Sequence, residues 1–213
     1  MKLYSYWRSS SAWRVRIALA HKALPHELVP VNLLRGEQQQ PVFRALNAMT
    51  QVPVLEVDED GRLFRLTQSS AIMEYLEERF PERPLLPADR AGRARAREMM
   101  QIVNSGMQPF QNLSLQRALE QAGFDMTPVR NAALEKGLAA LERIASESAG
   151  RFLVRDGVTL ADIFLVPQLF SARRFGIDLE PFPTLRRVDA ECSMLAEFQS
   201  AHPNAQPDYD PAA

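Results

Sequence analysis

The sequence predicts a small α/β unit followed by an all-helical domain, and three observations carry that reading. Strand-like and helix-like segments alternate over the first eighty residues in the order β-α-β-α-β-β-α. Pro81-Glu82-Arg83-Pro84-Leu85-Leu86-Pro87 then places three prolines in seven residues, which no helix can absorb. Beyond it, apolar residues recur at helical spacing. The expected division is therefore a first domain over 1–80, a stiff linker over 81–89 and a helical domain over 90–213.

Each element has its own justification. Leu3 to Tyr6 reads as a short strand. A hydroxyl-rich turn, Arg8-Ser9-Ser10-Ser11-Ala12, leads into a helix over Trp13 to Lys22, with Val15, Ile17, Ala18 and Leu19 as its apolar face. His26 to Leu33 is a second strand, and Pro30 puts it at a sheet edge because proline donates nothing to a ladder. Gln40 to Leu46 is a short helix. Val52 to Val57 and Leu63 to Leu66 are strands joined by the turn Asp58-Glu59-Asp60-Gly61. Ser69 to Phe80 is helical, with Ile72, Tyr75, Leu76 and Phe80 on one face. This order implies two parallel-type crossovers and then a hairpin.

The second half reads as long helices over Arg90 to Ala122, Pro128 to Ser148 and Val158 to Arg174, with shorter ones between Pro183 and Ala201. Thr159-Leu160-Ala161-Asp162 fits a capping box, with Val158 and Ile163 placed to close a hydrophobic staple. The tail from Pro203 to Ala213 is expected to lie extended on the surface.

Composition excludes several classes of function. The chain of 213 residues is 46% hydrophobic and 24% charged with a net charge of −1, so nothing favours nucleic acid or an acidic membrane. No apolar run approaches the ~20 residues of a membrane span. Cys192 is the only cysteine, and His21, His26 and His202 lack ligand spacing, so no metal site is expected. The cysteine count and the strand-like start favour a cytoplasmic protein.

Two hydroxyl-bearing helix starts stand out. Ser9-Ser10-Ser11 and Thr67-Gln68-Ser69-Ser70 both precede helices, whose first N–H groups point outward and attract anions. Serine also caps helices without any ligand, so each motif alone admits both readings. Val52-Pro53 opens the third strand, either as a plain strand-start proline or as a cis bond exposing the Val52 backbone.

Taken together, these pieces resemble the glutathione-binding domain of cytosolic glutathione transferases, a thioredoxin-like unit followed by an all-α domain. Ser9-Ser10-Ser11-Ala12-Trp13-Arg14-Val15-Arg16 is similar to the zeta-class signature Ser-Ser-Cys-x-x-Arg-Val-Arg. Val31-Asn32-Leu33-Leu34, Asn47-Ala48-Met49-Thr50-Gln51-Val52-Pro53 and Gln108-Pro109-Phe110-Gln111-Asn112-Leu113 fit the same class, known as the maleylacetoacetate isomerases, and the resemblance runs on to Phe198-Gln199 and His202-Pro203. Three positions depart from it: Ser11 replaces the family cysteine, Ala12 the following serine and Ala48 the usual proline. Ser11 keeps a donor but lacks a thiol's reactivity.

The resemblance implies glutathione as cofactor and a set of residues around it. Ser9 would hydrogen-bond the sulfur, with Ser10, Ser11 and the helix start beside it, so these three serines are the catalytic candidates. Gln38 and the Val52 backbone would hold the cysteinyl–glycyl part, and Gln68 and Ser69 the γ-glutamyl end. Arg14, Gln108, Asn112, Leu113 and Ser114 would complete the cofactor pocket. Arg8 and Arg174 are the candidates for the carboxylates of a dicarboxylate keto-acid substrate. The implied reaction is thiolate addition to a conjugated cis double bond, rotation and elimination to the trans isomer, in a homodimer acting in tyrosine and phenylalanine breakdown. Isomerisation of maleylpyruvate, turnover of small α-haloacids and a non-catalytic binding role are the alternatives. Arg90, Arg93, Arg95 and Arg97 form either a positive field for such a substrate or a solvated helix face.

Overall fold

The computed structural model describes residues 1–211. In chain order the elements are β1 (Lys2–Ser5), α1 (Ser10–His21), β2 (Glu27–Pro30), α2 (Pro41–Leu46), β3 (Val54–Glu59), β4 (Arg62–Thr67) and α3 (Ser69–Arg79). Then follow α4 (Arg90–Gln101), α5 (Leu113–Gln121), α6 (Thr127–Ser148), α7 (Leu160–Arg174), α8 (Pro183–Ser193) and α9 (Ala196–Ala201). The chain divides into two compact units, Met1–Pro84 with the chain from Leu195 onward, and Leu85–Met194. This differs from the expected helical domain over 90–213 at both ends. Leu85 and Leu86 are buried in the second unit, and α9 packs on α1 in the first.

In the first unit the strand order is β2-β1-β3-β4, with β2 at the edge as Pro30 predicts. Leu3 on β1 pairs in parallel with Leu28 and antiparallel with Leu55, and β3 and β4 form an antiparallel hairpin. Only the first crossover is therefore parallel. The second is corrected: six residues of α2 span about 9 Å, shorter than a four-residue strand of about 13 Å, so α2 does not carry the chain back along the sheet. Asp60 and Gly61 both have positive φ, 53° and 79°, the turn geometry that matches the twist of a two-residue hairpin.

Helix α1 is not one-sided. Residues 12–19 are all buried, because α1 packs against β1 on the sheet and against α3 and α9. Three cations are enclosed with it. Arg14 and Arg16 are discussed below; Lys22 pairs with Glu77 at 2.9 Å and donates to the carbonyls of Phe80 at 2.7 Å and Arg83 at 3.3 Å. The tail also departs from expectation. Within Pro203–Ala213, Pro203 and Gln206 are buried, and Pro203 opens a 3-10 turn over Pro203–Ala205. The Gln206 amide donates to the carbonyls of Ser200 and His202, so apolar burial and local hydrogen bonds fold this stretch back. Residues 212–213 lie outside the described residues.

In the second unit the single helix expected over Arg90 to Ala122 is broken. After α4 the chain continues as a π-helical stretch over Ile102–Met107 and a 3-10 turn over Gln108–Gln111 before α5 begins. Pro109 supplies the reason, since it lacks an N–H and its ring crowds the carbonyl four residues earlier. Gly137 on α6 lets Met107 approach, as a Cβ there would lie 2.4 Å from the Met107 side chain. On α4, Arg95 pairs with Glu98 at 2.5 Å and Arg90 is exposed, consistent with a solvated face.

The Thr159–Asp162 motif forms as predicted. Asp162 is fully buried and accepts from Thr159 N at 2.7 Å, Thr159 Oγ1 at 2.9 Å and Leu153 N at 2.8 Å. Burial, opposed by these bonds, raises its pKa to about 6.

Candidate functional site

Three loops of the first unit carry the predicted site residues, and each is shaped by its own sequence. Ser9 caps α1: its hydroxyl accepts from Ala12 N at 3.2 Å, and its carbonyl accepts from Trp13 N at 2.8 Å. Capping uses only the acceptor side of that hydroxyl. Its proton can still be donated outward, so the capping and ligand readings do not compete. Ser9, Ser10 and Ser11 are all half-exposed at this helix start.

Gln38 is placed by a pinned loop. Asn32 Oδ1 accepts from Leu34 N and Arg35 N, and Glu37 Oε2 accepts from Asn32 N at 2.6 Å. Gly36 turns the chain at φ 72° into the short 3-10 turn Glu37–Gln39. The Gln38 side chain is buried; its amide nitrogen makes a long bond of 3.4 Å to Leu33 O, and its Oε1 has no hydrogen-bond partner among the described residues. A buried, unsatisfied acceptor is costly and rare.

Val52 is reached through a second pinned loop. Asn47 donates to Gln51 O at 2.7 Å and accepts from Met49 N at 2.9 Å. The Val52–Pro53 peptide is cis, the second of the two readings open from sequence, and Val52 is buried directly before β3. Gln68 is exposed and holds φ 68° and ψ 113°, a conformation non-glycine residues adopt at a cost of ~1–3 kcal/mol. No side chain caps α3 there.

Beneath α3 lies Arg14, with no exposed surface. Its Nη1 donates to Ser69 Oγ at 3.3 Å, so the structure joins two of the predicted site residues across 55 positions of sequence. Burial pulls the guanidinium down to about 9, which leaves it charged at neutral pH. The first unit thus offers two helix N-termini, a buried cation under one of them and an unsatisfied buried amide oxygen. That donor and acceptor set suits a small peptide bearing carboxylates. Arg8 is half-buried with its guanidinium 5.3 Å from the centre of the Trp7 ring.

Gln108, Asn112, Leu113, Ser114 and Arg174 belong to the second unit. Asn112 caps α5, accepting from Ser114 N at 3.0 Å and Ser114 Oγ at 2.7 Å. Gln108 opens the 3-10 turn before it. Arg174 ends α7, is exposed, and lies 4.8 Å from the Phe175 ring centre.

Arg16 was not singled out by sequence. It is 97% buried; Nη1 donates to Ser5 Oγ at 2.9 Å and Tyr6 O at 3.3 Å, Nη2 to Trp7 O at 2.9 Å, and Nε to Ala201 O at 3.1 Å. A signal existed. Arg14 and Arg16 are two apart in an apolar helix and cannot share one solvent face, so at least one had to be enclosed.

Residues 8–79 match the glutathione S-transferase N-terminal domain and residues 120–194 its C-terminal domain. The maleylacetoacetate isomerase of Pseudomonas aeruginosa is 46% identical over the full length of both chains. The chain belongs to the zeta class of the glutathione transferase family. A crystal structure of maleylacetoacetate isomerase from Anaeromyxobacter dehalogenans with glutathione bound superposes with a TM-score of 0.90 at 56% identity, covering 98% of this chain and 97% of that one. The same protein has a second crystal structure with dicarboxyethyl glutathione and citrate in its active site. A zeta-class maleyl pyruvate isomerase matches with a TM-score of 0.92 at 41% identity, covering 99% of this chain and all of that one. Zeta-class membership fixes the fold as a thioredoxin-like unit followed by helices, which is the predicted class. Among the described residues, no group of three or more His, Cys, Asp or Glu side chains could hold a metal, and no helix is long and apolar enough to cross a membrane.

Proposed function

We propose that this chain is a glutathione-dependent cis–trans isomerase of maleylacetoacetate, acting as a cytoplasmic homodimer in tyrosine and phenylalanine breakdown. The observation that carries the proposal is the first-unit donor and acceptor set around Ser9, Gln38, Val52 and Gln68–Ser69, in a chain 46% identical from end to end to a maleylacetoacetate isomerase. The first unit binds glutathione and the second supplies substrate contacts.

Glutathione, when bound, supplies a thiolate that adds reversibly to the conjugated cis bond, so that rotation and elimination yield the trans product. The chain's own residues make that possible. Ser9 donates its hydroxyl proton to the sulfur, and the α1 N-terminus favours negative charge there. Each unit by which the thiol pKa is lowered is worth about 1.4 kcal/mol. Ser10 and Ser11 add donors to the same turn. Gln38 Oε1 and the Val52 backbone take the polar groups of the cysteinyl–glycyl part, while Gln68 and Ser69, over the Arg14 cation, take the γ-glutamyl carboxylate. Gln108, Asn112, Leu113 and Ser114 are the second unit's own candidates for cofactor binding. Arg8 and Arg174 take the carboxylates of the substrate, a class of ligand for which the forked guanidinium is suited. The exposed Leu63 and Phe64 on β4 are apolar surface available to a second copy.

The maleyl pyruvate isomerase structure supports a second reading, in which maleylpyruvate is the substrate. Turnover of both keto-acids by the purified protein with glutathione distinguishes the two, and the higher kcat/KM is expected with maleylacetoacetate. Ser9→Ala is expected to lower kcat by about 100-fold, the usual effect of removing one donor to a developing or fixed anion, with glutathione affinity changed far less. Undiminished turnover would move the role to Ser10.

A further inference from the structure

The turn that presents Ser9 is held from the far end of the chain. Trp7 N donates to Asp208 Oδ2 at 2.9 Å, a contact across 201 residues of sequence. The carbonyl of the same residue accepts from Arg16 Nη2 at 2.9 Å. Tyr6 O is shared: it accepts from Arg16 Nη1 at 3.3 Å and from Ser9 N at 3.0 Å. The Tyr209 ring stands edge-on to the Trp7 indole, with centroids 5.0 Å apart. Arg16 is itself tied to this segment through Ala201 O, and the Asp208 charge favours the protonated guanidinium against the effect of burial. Both peptide groups of Trp7 are thus gripped, one by an anion and one by a cation, two residues before Ser9.

We infer that Asp208 is a positioning residue for the reaction: by accepting the Trp7 N–H it fixes the backbone that aims the Ser9 hydroxyl at the glutathione sulfur. The inference rests on the reading of Ser9 as the donor to that sulfur. Its physical basis is that a hydrogen bond to an anion falls off steeply with misalignment, while tripeptide binding is spread over many contacts and tolerates a looser turn. Asp208 touches neither ligand. Its effect passes through Trp7, Tyr6 and Ser9.

The test compares the full-length parent, Asp208→Ala, Asp208→Asn and Ser9→Ala. The readouts are the pKa of bound glutathione, from its ultraviolet thiolate absorbance per mole of bound glutathione, and the kinetic constants. Normalising to bound glutathione restricts the absorbance readout to folded protein. Asp208→Ala is expected to raise the thiol pKa by about one unit, which lowers the thiolate fraction and kcat by up to about tenfold at a pH below that pKa, with the glutathione KM changed by less than about twofold. Asp208→Asn keeps an acceptor for Trp7 N and is expected to restore both values. An unchanged thiol pKa in Asp208→Ala, or equal impairment of Asp208→Asn, would overturn the inference. The serine variant separates the two levels: if Ser9→Ala leaves the thiol pKa unchanged, the Ser9 reading itself fails. If only Asp208→Ala leaves it unchanged, the positioning role alone fails.

Discussion

Arg14 on α1 and Ser69, the first residue of α3, are joined by a 3.3 Å hydrogen bond with the guanidinium wholly out of contact with solvent. Enclosing a cation is expensive unless its charge is used, and a helix N-terminus is itself a positive end, so the pair does not stabilise by attraction to α3. The arrangement concentrates positive potential at the α3 N-terminus, where the proposed reading puts the γ-glutamyl carboxylate.

Replacing Arg14 by methionine tests both folding and binding. Arg14→Met removes the donor to the buried Ser69 hydroxyl and is expected to lower the melting temperature. Glutathione affinity is expected to fall by about tenfold, the loss of ~1.4 kcal/mol. Calorimetric titration with glutathione checks the second part. An affinity within twofold of the parent would leave Arg14 a packing residue.

Asp162 makes the opposite prediction, for stability alone. Asp162→Ala leaves Leu153 N and Thr159 N without their acceptor, and each buried orphan costs about 1–3 kcal/mol. A loss of about 3 kcal/mol or more in urea unfolding is expected, with Thr159→Ala losing about 1 kcal/mol. If both variants unfold at the parent's midpoint, the box is dispensable.

His202 predicts a pH dependence whose sign follows from its surroundings. Its Nδ1 accepts from Asn204 N at 3.2 Å, its ring stands edge-on to Trp13, and burial, aided by the Arg16 charge, lowers its pKa. The folded state thus binds fewer protons than the unfolded chain below the ordinary histidine pKa of about 6.5. This contribution to stability is present above that pH and is lost as the pH falls through the lower folded value. Asp162, whose pKa is raised to about 6, works in the opposite sense, so His202 is read by difference. Between about pH 7.5 and 5 the melting temperature of His202→Asn, which keeps an acceptor and does not titrate, is expected to shift upward relative to the parent's. Identical slopes would assign the acid sensitivity elsewhere.

Thiol reagents probe the departure at Ser11. Cys192 is fully buried on α8 and Ser11 carries no thiol, so iodoacetamide is expected to leave isomerase activity intact in the folded protein. Rapid inactivation traced by mass spectrometry to Cys192 would contradict this. Ser11→Cys is expected to introduce the missing sensitivity.

Local rules carried much of this protein. Period and turn chemistry were enough for the α/β unit, the edge position of the strand bearing Pro30, the hairpin at Asp60-Gly61 and the Thr159–Asp162 box, because each depends on neighbours within a few residues. The serine turn and the Gln68–Ser69 helix start were legible for the same reason. Tertiary structure decided what depends on distant partners. Strand direction at β3 and the return of the chain after Leu195 onto α1 are not written in any short window, whereas the break beyond α4 has a local signal in Pro109. Nor does any short window hold the set of partners of Arg14, Arg16 and Asp208, which meet Ser69, Trp7 and Ala201 in the fold. A charged side chain's role is set by the groups that replace its water, and those groups lie 55, 201 and 185 residues away along the chain.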